Sequence, residues 1–449
     1  MQQARHFVRW AQFAALACVL AQPAWAALPI QQWKQPSGAQ VWLVESHSLP
    51  MVDVQIDVDA GGRRDPAEKA GLASVTAAMT SKGIAAREGQ PALDENQLGE
   101  AWADLGAGFG ASAGSDRMSF SLRSLTYPEL LAKAVALGAR QIGEPSFPDH
   151  VWQRDRQRMS ASIREANTRP ATIANRTFYS AVYGSHPYGY DTTEESLARI
   201  AVQDMRSHYA LVQPCRAKVS IVGAVNRAQA DQIASALLAR LPAGNCTALP
   251  PVPEVATLAA PVERAVPFTS AQAHVLIGQP GYRRDDPDYF PLLVGNYTLG
   301  GGGFVSRLTT EVREKRGLSY SIYSYFAPGM HAGAFTLGLQ TRPDQAAQAV
   351  EVSRDVLRRF VAEGPTEAEL KAAKDFLVGG FALRIDSNRK LLDNLAAIAW
   401  HDLPLDYLDT WTRQVERVTA AEIKAAFARK LQPDRMVTVV LGGVAPTRQ

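Results

Sequence analysis

The chain has 449 residues, 46% hydrophobic and 20% charged, in the range of ordinary globular proteins, and its length predicts two or three domains. These figures exclude a disordered chain, a collagen-like repeat and a polytopic membrane protein. Lys+Arg 47 against Asp+Glu 44 leaves a formal charge of +3 with no long basic run, which argues against nucleic-acid binding through a basic surface.

In chain order, Arg5, His6 and Arg9 precede an apolar run over 11–21 and then Ala24-Trp25-Ala26. This is the layout of a cleaved signal peptide over 1–26, too short for a permanent span, and it predicts a periplasmic or extracellular protein without a membrane anchor. Cys18 is a poor match to a lipid-anchored cysteine. Residues 52–58 alternate as a strand that enters the turn Arg63-Arg64-Asp65-Pro66. Gly106-Ala-Gly108-Phe-Gly110 lacks the flanking strand and helix of a dinucleotide loop and reads as a Gly-rich strand that another backbone can approach. A strand over 119–125 and a helix over 128–142 follow, then a strand over 216–223 and a helix over 227–241. Strand out and helix back returns the chain to its starting end, so Cys215 and Cys246 can meet as a disulfide, with two free thiols as the alternative. Residues 246–261, with Pro250, Pro251 and Pro253, read as a semi-rigid linker.

The remainder repeats the first part. Arg283-Arg284-Asp285 stands against Arg63-Arg64-Asp65, an offset of 220 (283 against 63). Gln432-Pro433 and Gly442 repeat Gln213-Pro214 and Gly223 at 219, and 415–423 resembles 197–205 at 218. The strand over 334–340 and the helix over 346–363 repeat 119–125 and 128–142. The expected architecture is α+β: two tandem homologous domains, 27–245 and 262–445, each a mostly antiparallel sheet with helices packed on one face and each burying its own core.

In the second copy, the four glycines 300–303 read as a flexible turn. A helix over 304–316 carries Leu308 and Val312 on its apolar stripe and stops at Gly317, and a strand runs over 318–326. On this reading the charged residues Glu311 to Arg316 are a solvated helix face. Tyr320 shares strand parity with Leu318 and Ile322, so it can equally be a core tyrosine.

The run Leu299-Gly-Gly-Gly-Gly-Phe-Val-Ser306-Arg307-Leu308, followed by Glu311-Val-Arg313-Glu-Lys-Arg316-Gly317-Leu318-Ser-Tyr320, resembles the pitrilysin/insulinase family of zinc peptidases. In active members, the stretch corresponding to 71–79 is a helix bearing His-x-x-Glu-His: two histidines on one face hold zinc and the Glu activates water. Here those positions hold Ser74, Ala77 and Ala78, and the family's third ligand, a Glu on a later helix, falls at Ser162 or one turn away at Glu165. Alanine has no donor atom, and a serine hydroxyl is not a usual zinc ligand. No two of His6, His47, His150, His186, His208, His274, His331 and His401 lie within one helical turn. His186, in a Gly-Ser-His-Pro-Tyr turn, reads as structural.

The resemblance further implies an Arg and a Tyr, seven residues apart, that reach across to a substrate; Arg313 and Tyr320 match this pair. Some family members divide the work between one subunit with the metal motif and one with the Arg/Tyr pair. The implied function is therefore a zinc-free, non-catalytic subunit of a periplasmic heterodimeric metallopeptidase. Zinc would sit in a partner subunit of the same family, and Arg313 and Tyr320 would serve peptide substrates in trans. A catalytically inert structural or peptide-binding assembly subunit is the alternative, and a stand-alone peptidase requires metal ligands that the sequence lacks.

Overall fold

The computed structural model describes residues 29–87, 89–242 and 246–443, so the expected signal peptide lies outside the described residues. The first half forms a six-stranded sheet: β1 (Gln31–Lys34), β2 (Gln40–Glu45), β3 (Met51–Val58), β6 (Gly108–Ala113), β7 (Met118–Leu125) and β8 (Lys218–Gly223), in the order β1-β2-β8-β3-β7-β6. A two-stranded hairpin of β4 (Gly83–Ile84) and β5 (Leu93–Asp94) stands apart. The second half forms a five-stranded sheet of β9 (Val262–Val266), β10 (Ala273–Tyr282), β11 (Ile322–Phe326), β12 (Gly333–Thr341) and β13 (Val437–Leu441), in the order β11-β12-β10-β13-β9. Read from the opposite edge, this is the first order without β1. The pairings β2 with β8 and β9 with β13 are parallel and the rest antiparallel, so the repeat in the sequence is a repeat in topology.

Alternation on β3 sends Val52, Val54, Ile56 and Val58 into a core shared with helices Pro128–Gly143 and Arg227–Leu238. Each sheet's own helices gather on this kind of face. Asp53, Gln55 and Asp57 point to the other face and are buried as well. That face is covered by helix Asn388–Trp400 from the second half. Lys218 Nζ donates to Ala399 O (2.8 Å) and Trp400 O (3.3 Å), a cation at a helix C-terminus. Arg117 pairs with Asp57 (2.8 Å), lies over the Trp400 ring (5.5 Å) and donates to Ala396 O (3.3 Å). Burial pushes the Asp57 carboxyl up despite the neighbouring Arg117.

The exchange is reciprocal. Helix Pro170–Tyr183 of the first half packs on β10 and β13, where Phe178 is fully buried and the Tyr183 hydroxyl accepts from Ala334 N (2.8 Å). A buried side chain of the Phe178 class contributes about 1.5–3 kcal/mol. The cores are accordingly not separate, because Trp42, Val44 and Val222 belong to the cluster that holds most of the second half's interior. Between the halves, buried Arg63 reaches Asp59 (2.8 Å), Asp116 (3.5 Å) and His331 Nε2 (3.3 Å), while Glu254 faces His331 Nδ1 (3.3 Å). Cys215 and Cys246 form a disulfide with their Cα atoms 6.2 Å apart. Among the described residues no helix is long and apolar enough to cross a membrane.

Candidate functional site

The degenerate metal-motif stretch is a regular helix, Leu72–Met79. Asp65 starts it by accepting hydrogen bonds from Gly71 N and Ala73 N, both 2.9 Å. Burial pushes the Asp65 carboxyl up to about 6, against the pull of these backbone donors. Ser74 and Ala78, four residues apart, lie on the exposed face, and Ala77 is buried. Ser162 and Glu165 are exposed on helix Asp149–Ala166, where Glu165 pairs with Arg169. One hydroxyl and two methyl groups do not make a zinc site. Among the described residues, no three His, Cys, Asp or Glu side chains converge as a metal ion requires. His186 is buried in its turn, where Nδ1 accepts from Tyr188 N (3.1 Å) and burial lowers its pKa.

The corresponding helix of the second half, Tyr289–Asn296, runs on into a π-helical turn at Tyr297–Gly301. Three of the four glycines, Gly300, Gly301 and Gly302, are closely approached by their neighbours, whereas Gly303 is open to solvent. A Cβ on Gly300 would stand 2.4 Å from Ser324 Oγ and 2.6 Å from Ser324 N, and one on Gly302 2.7 Å from Tyr297 O. Gly303 adopts φ 59°, and the Ser306 hydroxyl closes the next turn onto Gly303 O (2.8 Å). The expected helix over 304–316 is broken into a 3-10 turn, Gly303–Val305, and a π-helical segment, Thr309–Glu314. Leu308 and Val312 still bury their side chains, which is why the apolar stripe suggested a plain helix.

Gly317 at φ 60° ends this segment, and Leu318 N returns to Val312 O (3.0 Å). Ser319 Oγ lies within hydrogen-bond distance of two carbonyl oxygens, Ser321 O (2.6 Å) and Gln340 O (2.7 Å), either of which can take its one proton. The strand begins only at Ile322, so strand parity does not reach Tyr320. Tyr320 is 82% exposed and is not a core tyrosine.

Arg313 and Tyr320 come together: the guanidinium carbon lies 4.9 Å from the Tyr320 ring centroid and 4.6 Å from that of Phe304. Glu311 is occupied by Lys315 and Arg316, both at 2.7 Å, which hold its carboxyl below the usual range. Among the described residues no carboxylate pairs with Arg313. Beyond Tyr320, β11 is an edge strand whose Tyr323 and Tyr325 rings stack at 5.9 Å, and the Tyr325 hydroxyl bonds that of Tyr179 (2.8 Å). Burial pushes the Tyr179 phenol up. A cleft of about 140 Å³ lined by Ser321, Tyr323, Asn175 and His274 opens one residue from Tyr320. A cleft of about 380 Å³, lined by Asn175, Tyr179 and Tyr190, continues along the exchanged helix. Phe304 is the site residue that sequence reasoning passed over; its signal was an aromatic directly after four glycines.

Two family models match in tandem: insulinase (peptidase family M16) over residues 40–196 and the peptidase M16 inactive domain over 199–377. A "non-peptidase homolog YmxG" of Helicobacter pylori is 24% identical over 388 residues, 84% of this chain and 86% of that protein. The crystal structure of a peptidase M16 inactive domain from Pseudomonas fluorescens is 33% identical and superposes with a TM-score of 0.87, covering 94% of this chain and 99% of that one. The periplasmic protease PqqL from Escherichia coli shares the fold at 16% identity and a TM-score of 0.78, with 93% of this chain matching 46% of that chain. The chain belongs to peptidase family M16, the insulinase family.

Proposed function

We propose that this protein is a zinc-free, non-catalytic subunit of a periplasmic heterodimeric metallopeptidase. It would complete the peptide-hydrolysing site of a His-x-x-Glu-His partner in trans through Arg313 and Tyr320. The observation that carries the reading is a contrast. The exposed face at Ser74 and Ala78 offers a metal a single hydroxyl, while Arg313 lies against an exposed Tyr320 with no carboxylate among the described residues to occupy it. Peptide hydrolysis puts negative charge on the scissile carbonyl oxygen. A phenol donor aimed at that oxygen is typically worth ~2.7–4 kcal/mol of transition-state stabilisation. The guanidinium is a rigid, permanently charged fork of donors suited to orienting peptide oxygens.

The purified chain is expected to cleave no peptide and to hold no stoichiometric zinc after dialysis. Mixed with an exported family member bearing His-x-x-Glu-His, it is expected to raise hydrolysis strongly. Tyr320→Phe should lower kcat by about 100-fold, and Arg313→Ala should lower it as well, while the complex still forms on gel filtration. Full activity in both variants rejects the in-trans role. The name of the Helicobacter pylori relative favours a second reading, an inert structural or peptide-binding subunit. That reading predicts a complex whose hydrolysis is indifferent to both substitutions.

A further inference from the structure

Phe304 stands at the tip of the glycine turn with 69% of its surface in water, beside the equally exposed Val305. The chain takes trouble to put it there. Gly300 and Gly302 leave no room for side chains against Ser324 and Tyr297, and Gly303 takes a left-handed conformation immediately before it. The turn that holds Phe304 is then closed by the Ser306 hydroxyl on Gly303 O (2.8 Å). Its ring faces the guanidinium of Arg313, whose carbon lies 4.6 Å from the centroid, slightly nearer than the Tyr320 ring at 4.9 Å.

We infer that Phe304 is a positioning residue of this site: with Tyr320 it holds the Arg313 guanidinium by its π face and leaves the in-plane N–H donors for a substrate oxygen. That last step rests on the function proposed above; the hold itself does not. An arginine side chain carries considerable rotamer entropy, and a free one is a poor orienting group. A carboxylate would fix it by taking up part of its donor set and offsetting its charge. An aromatic ring attracts the cation through its quadrupole and uses none of those donors. The neighbouring acid, Glu311, has its two carboxylate oxygens engaged by Lys315 and Arg316.

The test uses the full chain as wild type, Phe304→Leu and Phe304→Tyr. The Nε–Hε resonance of Arg313, assigned by its disappearance in Arg313→Lys, is followed by ¹⁵N relaxation. Loss of the ring in Phe304→Leu should shift the resonance and increase its mobility, and Phe304→Tyr should restore both. In the assembly with a His-x-x-Glu-His subunit, Phe304→Leu should lower kcat by about two- to five-fold, the span of an exposed cation–π contact. Phe304→Tyr should recover the loss, and Phe304→Leu should add no further loss in an Arg313→Ala background. An unchanged Arg313 resonance in Phe304→Leu overturns the inference. So does a loss of the same size in the Arg313→Ala background, because Phe304 would then touch substrate or partner directly. If the resonance responds but Arg313→Ala leaves hydrolysis intact, the positioning stands and the in-trans function fails.

Discussion

Both halves enter their helical layer through an Arg-Arg-Asp turn and use it differently. In the first, Arg63 is buried between the halves with its side chain 7% exposed, and Asp65 is buried as the acceptor that starts helix Leu72–Met79. In the second, Arg283 is half exposed and pairs with Asp285 (2.9 Å) at the surface, while Arg284 lies 3.7 Å over the Tyr289 ring. The first turn feeds a regular helix whose exposed face carries a serine and an alanine. The second feeds a helix that loosens into a π turn, followed by a 3-10 turn with Phe304 and a π segment with Arg313 that leads to Tyr320. Duplication has kept the path of the chain, whereas the chemistry follows from how tightly each helix is wound and what stands on it.

The comparison breaks most sharply along the pH axis. Burial raises the Asp65 carboxyl from its ordinary 3.8 to about 6. A raised acid binds more protons in the folded state, so its contribution to stability is full below about pH 4. It falls as pH rises through about 6, where it is spent. Two pH units correspond to about 3 kcal/mol. Urea unfolding should show that Asp65→Asn lacks this fall, so the difference between variant and wild type should swing by that amount across the window. Parallel curves for wild type and Asp65→Asn would mean that the burial of Asp65 carries no electrostatic cost.

The glycine turn gives the next effect. Gly300→Ala drives a methyl into Ser324, including its backbone nitrogen, and overpacking of this kind costs about 1–3 kcal/mol. Gly303→Ala meets nothing within 4 Å but must hold φ 59°, at about 1 kcal/mol. Gly300→Ala should therefore have the lower midpoint in denaturant. Equal midpoints would restore the flexible turn that four consecutive glycines suggest.

Much of this was legible in the sequence. Alternation marked β3, β7 and β12, and the offsets near 220 marked the duplication. A strand out and a helix back allowed the Cys215–Cys246 link without deciding it against two free thiols, and the structure forms it. The exchange of helices Pro170–Tyr183 and Asn388–Trp400 was not legible, because amphipathic spacing says which face is apolar and not which sheet it meets. Leu308 and Val312 fit an α-helical stripe, and a π turn can bury the same pair. Tyr320 was ambiguous because parity was counted through Leu318, whereas the strand starts at Ile322. Asp65 gave no sign of its burial, since Asp285 occupies the same place in the repeat and stays in solvent.

The smallest expected effect separates two tyrosines. The Tyr183 hydroxyl is buried and accepts from Ala334 N (2.8 Å), and burial pushes its phenol up to about 12. Tyr183→Phe leaves that backbone donor without its acceptor, at about 1–3 kcal/mol. Tyr320 is 82% exposed, so Tyr320→Phe should change stability by no more than about 0.5 kcal/mol. This near-zero result gives the loss of hydrolysis its meaning. If Tyr320→Phe unfolds with the wild type yet fails to support its partner, the hydroxyl acts on something outside this chain. If it destabilises the fold as much as Tyr183→Phe, the phenol is part of the scaffold, and its effect on hydrolysis cannot be assigned to the transition state.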